Sequence, residues 1–155
     1  MIVNGQAKQQ IAIADRSVQY GDGCFTTIAF LNGYLEFFDA HIQRLKEACE
    51  KLYIDFDKWP ELKNSVFSSL HNADDCVLKI IISRGQGGRG YSPEGVGSAC
   101  FILTQHPYPF HYYQWQKEGI KITQSPVQLS RQPLLAGIKH LNRLEQVLIK
   151  HALLA

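Results

Sequence analysis

Long apolar runs, basic clusters and closely spaced cysteines are all missing from this chain of 155 residues, and each absence removes a class of function. No apolar stretch approaches the roughly 18 residues that a membrane-crossing helix needs. The opening MIVNGQAKQQ lacks the charged and apolar regions of a secretion signal. The expectation is a cytoplasmic protein with no membrane partner. Lys and Arg number 16 against 14 Asp and Glu, and no run of them forms a basic arm, which argues against nucleic acid. Cys24, Cys49, Cys76 and Cys100 include no CxxC pair and stand where apolar residues would otherwise fall, so they read as reduced, packed thiols. The histidines fit neither HExxH nor a zinc spacing with those cysteines, and no metal is expected.

What is present is a globular composition: 45% hydrophobic and 19% charged residues, enough for one domain or one and a half. Asn4-Gly5 predicts a tight turn between short strands at Met1–Val3 and Gln10–Ile13. CFTTIAF, Asn32-Gly33 and YLEFF predict a second hairpin, preceded by a turn at Gly21 and Gly23 that sets Phe25 and Thr27 on one face of the sheet. Asp39 is suited to cap a helix whose buried stripe is Ile42, Leu45, Cys49 and Leu52, leaving Arg44 off the stripe. Pro60 suits the first turn of another helix, through Leu62, Val66 and Leu70. CVLKIIIS, Cys76 to Ser83, reads as a central strand buried on both faces, and ACFILT as its partner.

Between those strands lies RGQGGRGYSPEGVGS, dense in glycine, with Arg84 and Arg89 five apart. Arginines at the mouth of a strand suit capture of a carboxylate or phosphate; a solvated hairpin loop fits the same composition. The prolines and aromatics of HPYPFHYYQWQ disfavour helix and central strand and read as a linker whose rings serve packing or an interface. GIKITQSPVQL then predicts a new strand. The organisation expected is α/β (α+β): a small two-layer domain of sheet and helices over 1–105, a linker over 106–118, and the start of a second domain over 119–155. That second unit has too few elements to bury a core alone, so the chain reads as cut off or completed by something else.

The stretch LAGIKHLNRLEQVL singles out Lys139. Ile138 and Leu141 flank it, and poor solvation would lower its pKa and free an amine able to attack a carbonyl and form a Schiff base. The pattern also admits a plain alternative. Leu141, Leu144, Leu148 and Ala152 recur at helical spacing, and Lys139 would then be a solvated residue of a first helical turn.

Four stretches in order, YGDGCFTT, AHIQRL, ISRGQGGRGY and LAGIKHLNRLEQVL, resemble the pyridoxal-phosphate enzymes of fold type IV. That family includes D-amino-acid and branched-chain aminotransferases, and the likeness is nearest to its aminodeoxychorismate lyases. The resemblance implies a D-amino-acid-aminotransferase-like fold, pyridoxal 5'-phosphate as cofactor and a homodimer. The implied activity converts 4-amino-4-deoxychorismate to 4-aminobenzoate and pyruvate in folate biosynthesis. A fold type IV aminotransferase and a non-catalytic α/β fragment are the alternatives. Carried over by position, Lys139 bonds the cofactor and shuttles protons, and Arg44 holds its phosphate. Phe25 and Thr27 match positions that line the site wall, and the chemistry of the implied step makes the Thr27 hydroxyl the candidate proton donor to the leaving oxygen. Arg84 matches an arginine that takes a substrate carboxylate, across the subunit boundary in some relatives; because the implied substrate carries two carboxylates, Arg89 of the same loop is the candidate for the second. Members of the family run on well past the length of this chain, and that further part carries the acid facing the pyridine nitrogen and much of the phosphate cradle.

Overall fold

The computed structural model describes residues 1–153. In chain order its elements are β1 (Ile2–Val3), β2 (Gln6–Ala7), α1 (Arg16–Tyr20), β3 (Gly23–Leu31), β4 (Tyr34–Leu35), α2 (Phe38–Lys51), α3 (Trp59–Leu70), β5 (Cys76–Ser83), β6 (Cys100–Pro107), α4 (His111–Glu118) and α5 (Leu144–Ala152). The strands form one sheet in the order β2-β1-β6-β5-β3-β4, with every neighbouring pair antiparallel. β5 is central, pairing from Gly23↔Ser83 to Phe30↔Cys76 on one side and from Cys76↔Pro107 to Ser83↔Cys100 on the other. Fold class and layering agree with the sequence.

Alternation along the strands decides which residues make the core. Cys24, Ile28 and Phe30 of β3, Leu78, Ile80 and Ile82 of β5, and Phe101 and Leu103 of β6 are buried. They cluster with Ile42, Leu45 and Cys49 of α2 and with Leu62, Val66 and Leu70 of α3. The opposite face is only partly covered. Phe25, Val77, Lys79 and Ile81 are half-buried and Thr27 is exposed, so β5 is not buried on both faces as its composition suggested. The two long helices lie on one side of the sheet, and the run of isoleucines does not reveal that.

β4 covers only Phe30 and Leu31 at the outer edge of β3. The other end of that edge is taken by the segment around Lys139. Phe25 N donates to Lys139 O at 2.9 Å, Leu141 N donates to Gly23 O at 3.0 Å, and Cys24 bridges His140. Residue 23 must be glycine for β3 to pair with β5 here, since a Cβ would meet the backbone Ile82 O at 2.3 Å; on the seam side it would meet Leu141 Cδ1 at 2.8 Å.

Several expectations change. The strand returning from Asn4-Gly5 is Gln6–Ala7 rather than Gln10–Ile13, because the turn closes directly with Val3 paired to Gln6. Asp15 caps α1 through Ser17 N, and Gly21 ends that helix in the left-handed region, φ 66°; five residues are too few to show a hydrophobic period. Phe37, at φ 52°, occupies the α2 cap position, and Asp39 lies in the first turn. The 106–118 stretch holds the helix α4, which the prolines permit because Pro107 ends β6 and Pro109 precedes the helix. Residues 119–129 form no strand: Ile120 and Ile122 are 64% and 89% exposed, and no neighbouring strand pairs with them among the described residues. The four cysteines are free thiols, three of them buried.

Candidate functional site

Pinning the backbone of Lys139 against β3 fixes where its side chain goes. The amine sits 4.5 Å from the centroid of the Phe25 ring, with Lys79 Nζ at 5.1 Å and the Arg143 guanidinium at 5.6 Å from the same ring. The negative π face is thus shared by three cations. Arg143 is held by bonds to His140 O at 2.8 Å and Ile138 O at 3.1 Å. The half-buried Lys139 amine has its pKa lowered, first by burial and then by the charges of Arg143, Arg44 and Lys79. It opens into a cavity of about 560 Å³ lined also by Phe25, Arg143, Val147 and Lys150. Lys139 is therefore not the solvated first residue of a helix. It precedes α5 and faces a concavity.

Arg44 and His41 are three apart on α2, so their side chains share a face of that helix. Arg44 Nη2 donates to Thr26 Oγ1 and to His41 Nδ1, the latter at 3.0 Å, and Thr26 Oγ1 lies 2.6 Å from the same ring nitrogen. Arginine only donates, so His41 Nδ1 is the acceptor and the Thr26 hydroxyl turns its proton toward the imidazole. His41 has its pKa lowered by burial, then by Arg44 and Lys139. Arg44 Nε is buried with no hydrogen-bond partner, which costs on the order of 1–3 kcal/mol unless an acceptor arrives. With the neighbouring cations, this orphaned donor suits a phosphate, and the lowered lysine suits an aldehyde. Arg44 does not line the cavity of Lys139, but its charge is felt at that amine, and the two side chains together carry the chemistry that a cofactor with both groups needs.

The other expected residues are placed differently. Arg84 Nε donates to Asp22 Oδ2 at 2.8 Å, Nη1 to Tyr53 O at 2.6 Å and Nη2 to Leu52 O at 2.7 Å. Asp22 also accepts from Arg16 Nε at 2.8 Å. Burial works upward on the Asp22 carboxyl, but the bonds from Arg84 and Arg16 outweigh it and hold its pKa below the usual value. Arg16, 4% exposed, reaches on to Gly90 O and Ser92 O through Nη1 and to Tyr91 O through Nη2, each at 3.2 Å. The glycine-rich loop is thus tied to α1 and to the end of α2. Arg84 is engaged within the chain, and Arg89 is exposed on the loop; neither lines the cavity of Lys139. Thr27 lies on the face of Phe25, opposite Lys79 in the register.

Sequence reasoning passed over Lys79, Arg143, Thr26 and His41. A signal existed for two of them. A lone lysine inside CVLKIIIS marks a wet spot on that strand's second face, and the His-x-x-Arg spacing in AHIQRL puts both side chains on one helix face. Strand alternation separates Thr26, on the face of Cys24 and Ile28, from Thr27, but does not mark it as a hydrogen-bonding residue. Among the described residues no helix is long and apolar enough to cross a membrane, and no three His, Cys, Asp or Glu side chains gather as metal ligands.

Comparison with known proteins bears on the family and the fold. The chain is 43% identical over 148 residues to an aminodeoxychorismate lyase of Vibrio harveyi, an alignment covering 96% of this chain and 55% of that protein. The crystal structure of 4-amino-4-deoxychorismate lyase from Pseudomonas aeruginosa superposes with a TM-score of 0.85 at 38% identity, over 97% of this chain and 55% of that one. The PLP-bound form of a hypothetical aminotransferase from Mycobacterium tuberculosis shares the fold, with a TM-score of 0.72 at 22% identity, over 94% of this chain and 53% of that one. The chain spans about half the length of the curated relatives it matches. The family model described as amino-transferase class IV matches residues 23–155, and from the start of β3 onward the chain accordingly belongs to the class IV aminotransferase family.

Proposed function

We propose that this chain is the lysine-bearing half of a pyridoxal-phosphate-dependent lyase that converts 4-amino-4-deoxychorismate to 4-aminobenzoate and pyruvate. The observation that carries the reading is the Lys139 amine, its pKa lowered, set over Phe25 in a cationic cavity. The unpartnered Nε of Arg44 and the 43% identity to an aminodeoxychorismate lyase support it. When bound, pyridoxal phosphate supplies an aldehyde that captures amines covalently and a ring that draws electrons from the carbon beside the captured nitrogen. Lys139 provides the amine that meets that aldehyde, and burial keeps a fraction of it uncharged and nucleophilic. Once released, the same Nζ takes the proton from the substrate carbon that bears the amino group. Arg44 meets the phosphate. The Thr27 hydroxyl passes a proton to the departing enolpyruvyl oxygen and recovers one from the Lys139 ammonium, so the proton taken from the ring leaves within pyruvate and the ring becomes aromatic.

Phe25 forms the apolar floor against which the substrate ring lies. Arg89, exposed on the glycine-rich loop, is assigned to a substrate carboxylate. Arg84 can take the other only by giving up Asp22, so its first duty is to hold the loop. The reading extends to a cytoplasmic homodimer built from a small domain, 1–105, a linker, 106–118, and a second unit beginning at 119. The apolar surface left open on the last two helices, where Trp115 is 48% and Leu144 78% exposed, supports a covering partner surface there. The test is acceptor dependence. Given pyridoxal phosphate and 4-amino-4-deoxychorismate without any keto acid, the lyase reading expects pyruvate and 4-aminobenzoate in equal amounts. Turnover only when a keto acid is added would replace it with an aminotransferase.

A further inference from the structure

We propose that His41 and Thr26 form a positioning pair that aims Arg44 at an anionic ligand group, so that His41 governs the preference for a phosphorylated over an unphosphorylated ligand without touching the reacting atoms. The inference rests on the cofactor reading above and deepens it at the phosphate end.

Three features of the geometry lead there. Thr26 is fully buried, a hydroxyl on a face otherwise given to Cys24, Ile28 and Phe30. A buried hydroxyl is tolerated only when it is bonded, and it bonds both His41 and Arg44. Thr26 Oγ1 and His41 Nδ1, 2.6 Å apart, meet Arg44 Nη2 from one side, which anchors that end of the guanidinium. Fixing that end leaves Nε buried and unpartnered. A guanidinium held by one nitrogen and unsatisfied at another loses little further freedom on binding an anion.

Only the Nε2–H tautomer of His41 can do this, because a proton on Nδ1 would face the donor-only Nη2 of Arg44 at 3.0 Å. The charged groups around the imidazole are Arg44 from its own helix and Lys139 from the segment paired to β3. Both favour the neutral ring. The neutral ring is therefore the working form, a fixed acceptor rather than an acid or base.

The experiment compares affinities for pyridoxal phosphate and pyridoxal by absorbance titration of the whole chain, beside ¹⁵N NMR of its imidazoles. His41→Leu is expected to lower the ratio of the two affinities about tenfold, the scale of one charge-assisted hydrogen bond. His41→Asn, which keeps an acceptor near the Nδ1 position, is expected to restore most of it, and Thr26→Val to repeat the loss. In the unsubstituted chain at neutral pH, His41 is expected as the neutral Nε2–H tautomer. A ratio unchanged in His41→Leu, or equal losses for both ligands, overturns the positioning role while leaving the cofactor reading intact. No preference for the phosphorylated ligand in the unsubstituted chain overturns the cofactor reading and this inference with it. An Nδ1-protonated His41 overturns the inference whether or not any ligand binds, and that holds even if the leucine variant fails to fold.

Discussion

Residues 1–107 and residues 108–153 are built on different terms. The first stretch contributes nearly every buried apolar side chain of the core, while the second adds only Tyr108 and Ile138. α4 and α5 bury no residue at all, although Tyr112, Trp115, Val147 and Leu148 are large and apolar. What joins the second stretch to the first is narrow: a seam of backbone bonds from Lys139 and Leu141 to the edge of β3, backed by Ile138 and Leu135 on the core and by Asn142 at Gly21 O. Stability thus resides in the first stretch, and the reactive amine is presented by the second at the line where they meet. An amine on a seam is precisely placed yet remains open to a ligand, which a core position would forbid.

The largest effect that would break this comparison comes from the core. Leu78→Ala, at a fully buried position of β5, is expected to cost about 2–5 kcal/mol in denaturant unfolding. Leu148→Ala, at a site 55% exposed, should stay within about 0.5 kcal/mol. Equal losses would show that the second stretch has a core of its own. Next comes Asp22→Asn, which removes the charge shared by Arg16 and Arg84. Leaving two mostly buried guanidiniums facing a neutral group should cost about 3 kcal/mol. It should also speed proteolysis within the glycine-rich loop, and an unchanged cleavage pattern would separate the loop from this network.

A smaller effect sharpens the seam. Gly23→Ala places a methyl against Ile82 O and Leu141 Cδ1 and is expected to cost about 1–3 kcal/mol. Hydrogen exchange should quicken where residue 23 meets the Ser83 end of β5 and at Phe25 and Leu141 more than in β6, and uniform quickening would deny that corner its independence. The smallest effect is in pH. Because His41 and His140 both have their pKa lowered, by burial first, the unfolded chain takes up protons that the folded chain refuses. Stability is then full above about 6.5, the ordinary histidine value, and declines as pH falls from there through the lowered folded values. His41→Asn should flatten that decline, and an identical slope would assign it to other groups.

The same division explains what the sequence disclosed. Where packing dictates residue type the pattern was readable: CVLKIIIS gave β5 to the residue, and Ile42, Leu45 and Cys49 gave the buried side of α2. Where tertiary partners decide, it was not. GIKITQSPVQL has the composition of a strand, but a strand exists only beside another, and none pairs with it among the described residues. The site follows the same rule. Lys139 and Arg44 were readable from their motifs, and Phe25 from strand alternation. The engagement of Arg84 by Asp22 depends on where α1 ends and α2 stops, which no local pattern encodes.

The central claim is that Lys139 carries an unusually available amine in a pocket shaped for an aldehyde with an anionic tail. Reductive trapping tests it most directly: the chain is mixed with substoichiometric pyridoxal phosphate at neutral pH, reduced with borohydride and mapped by mass spectrometry. The account predicts one dominant label, on the peptide holding Lys139, reduced in Arg44→Ala. A label spread over exposed lysines such as Lys46 and Lys121, with Lys139 unmarked, would contradict it.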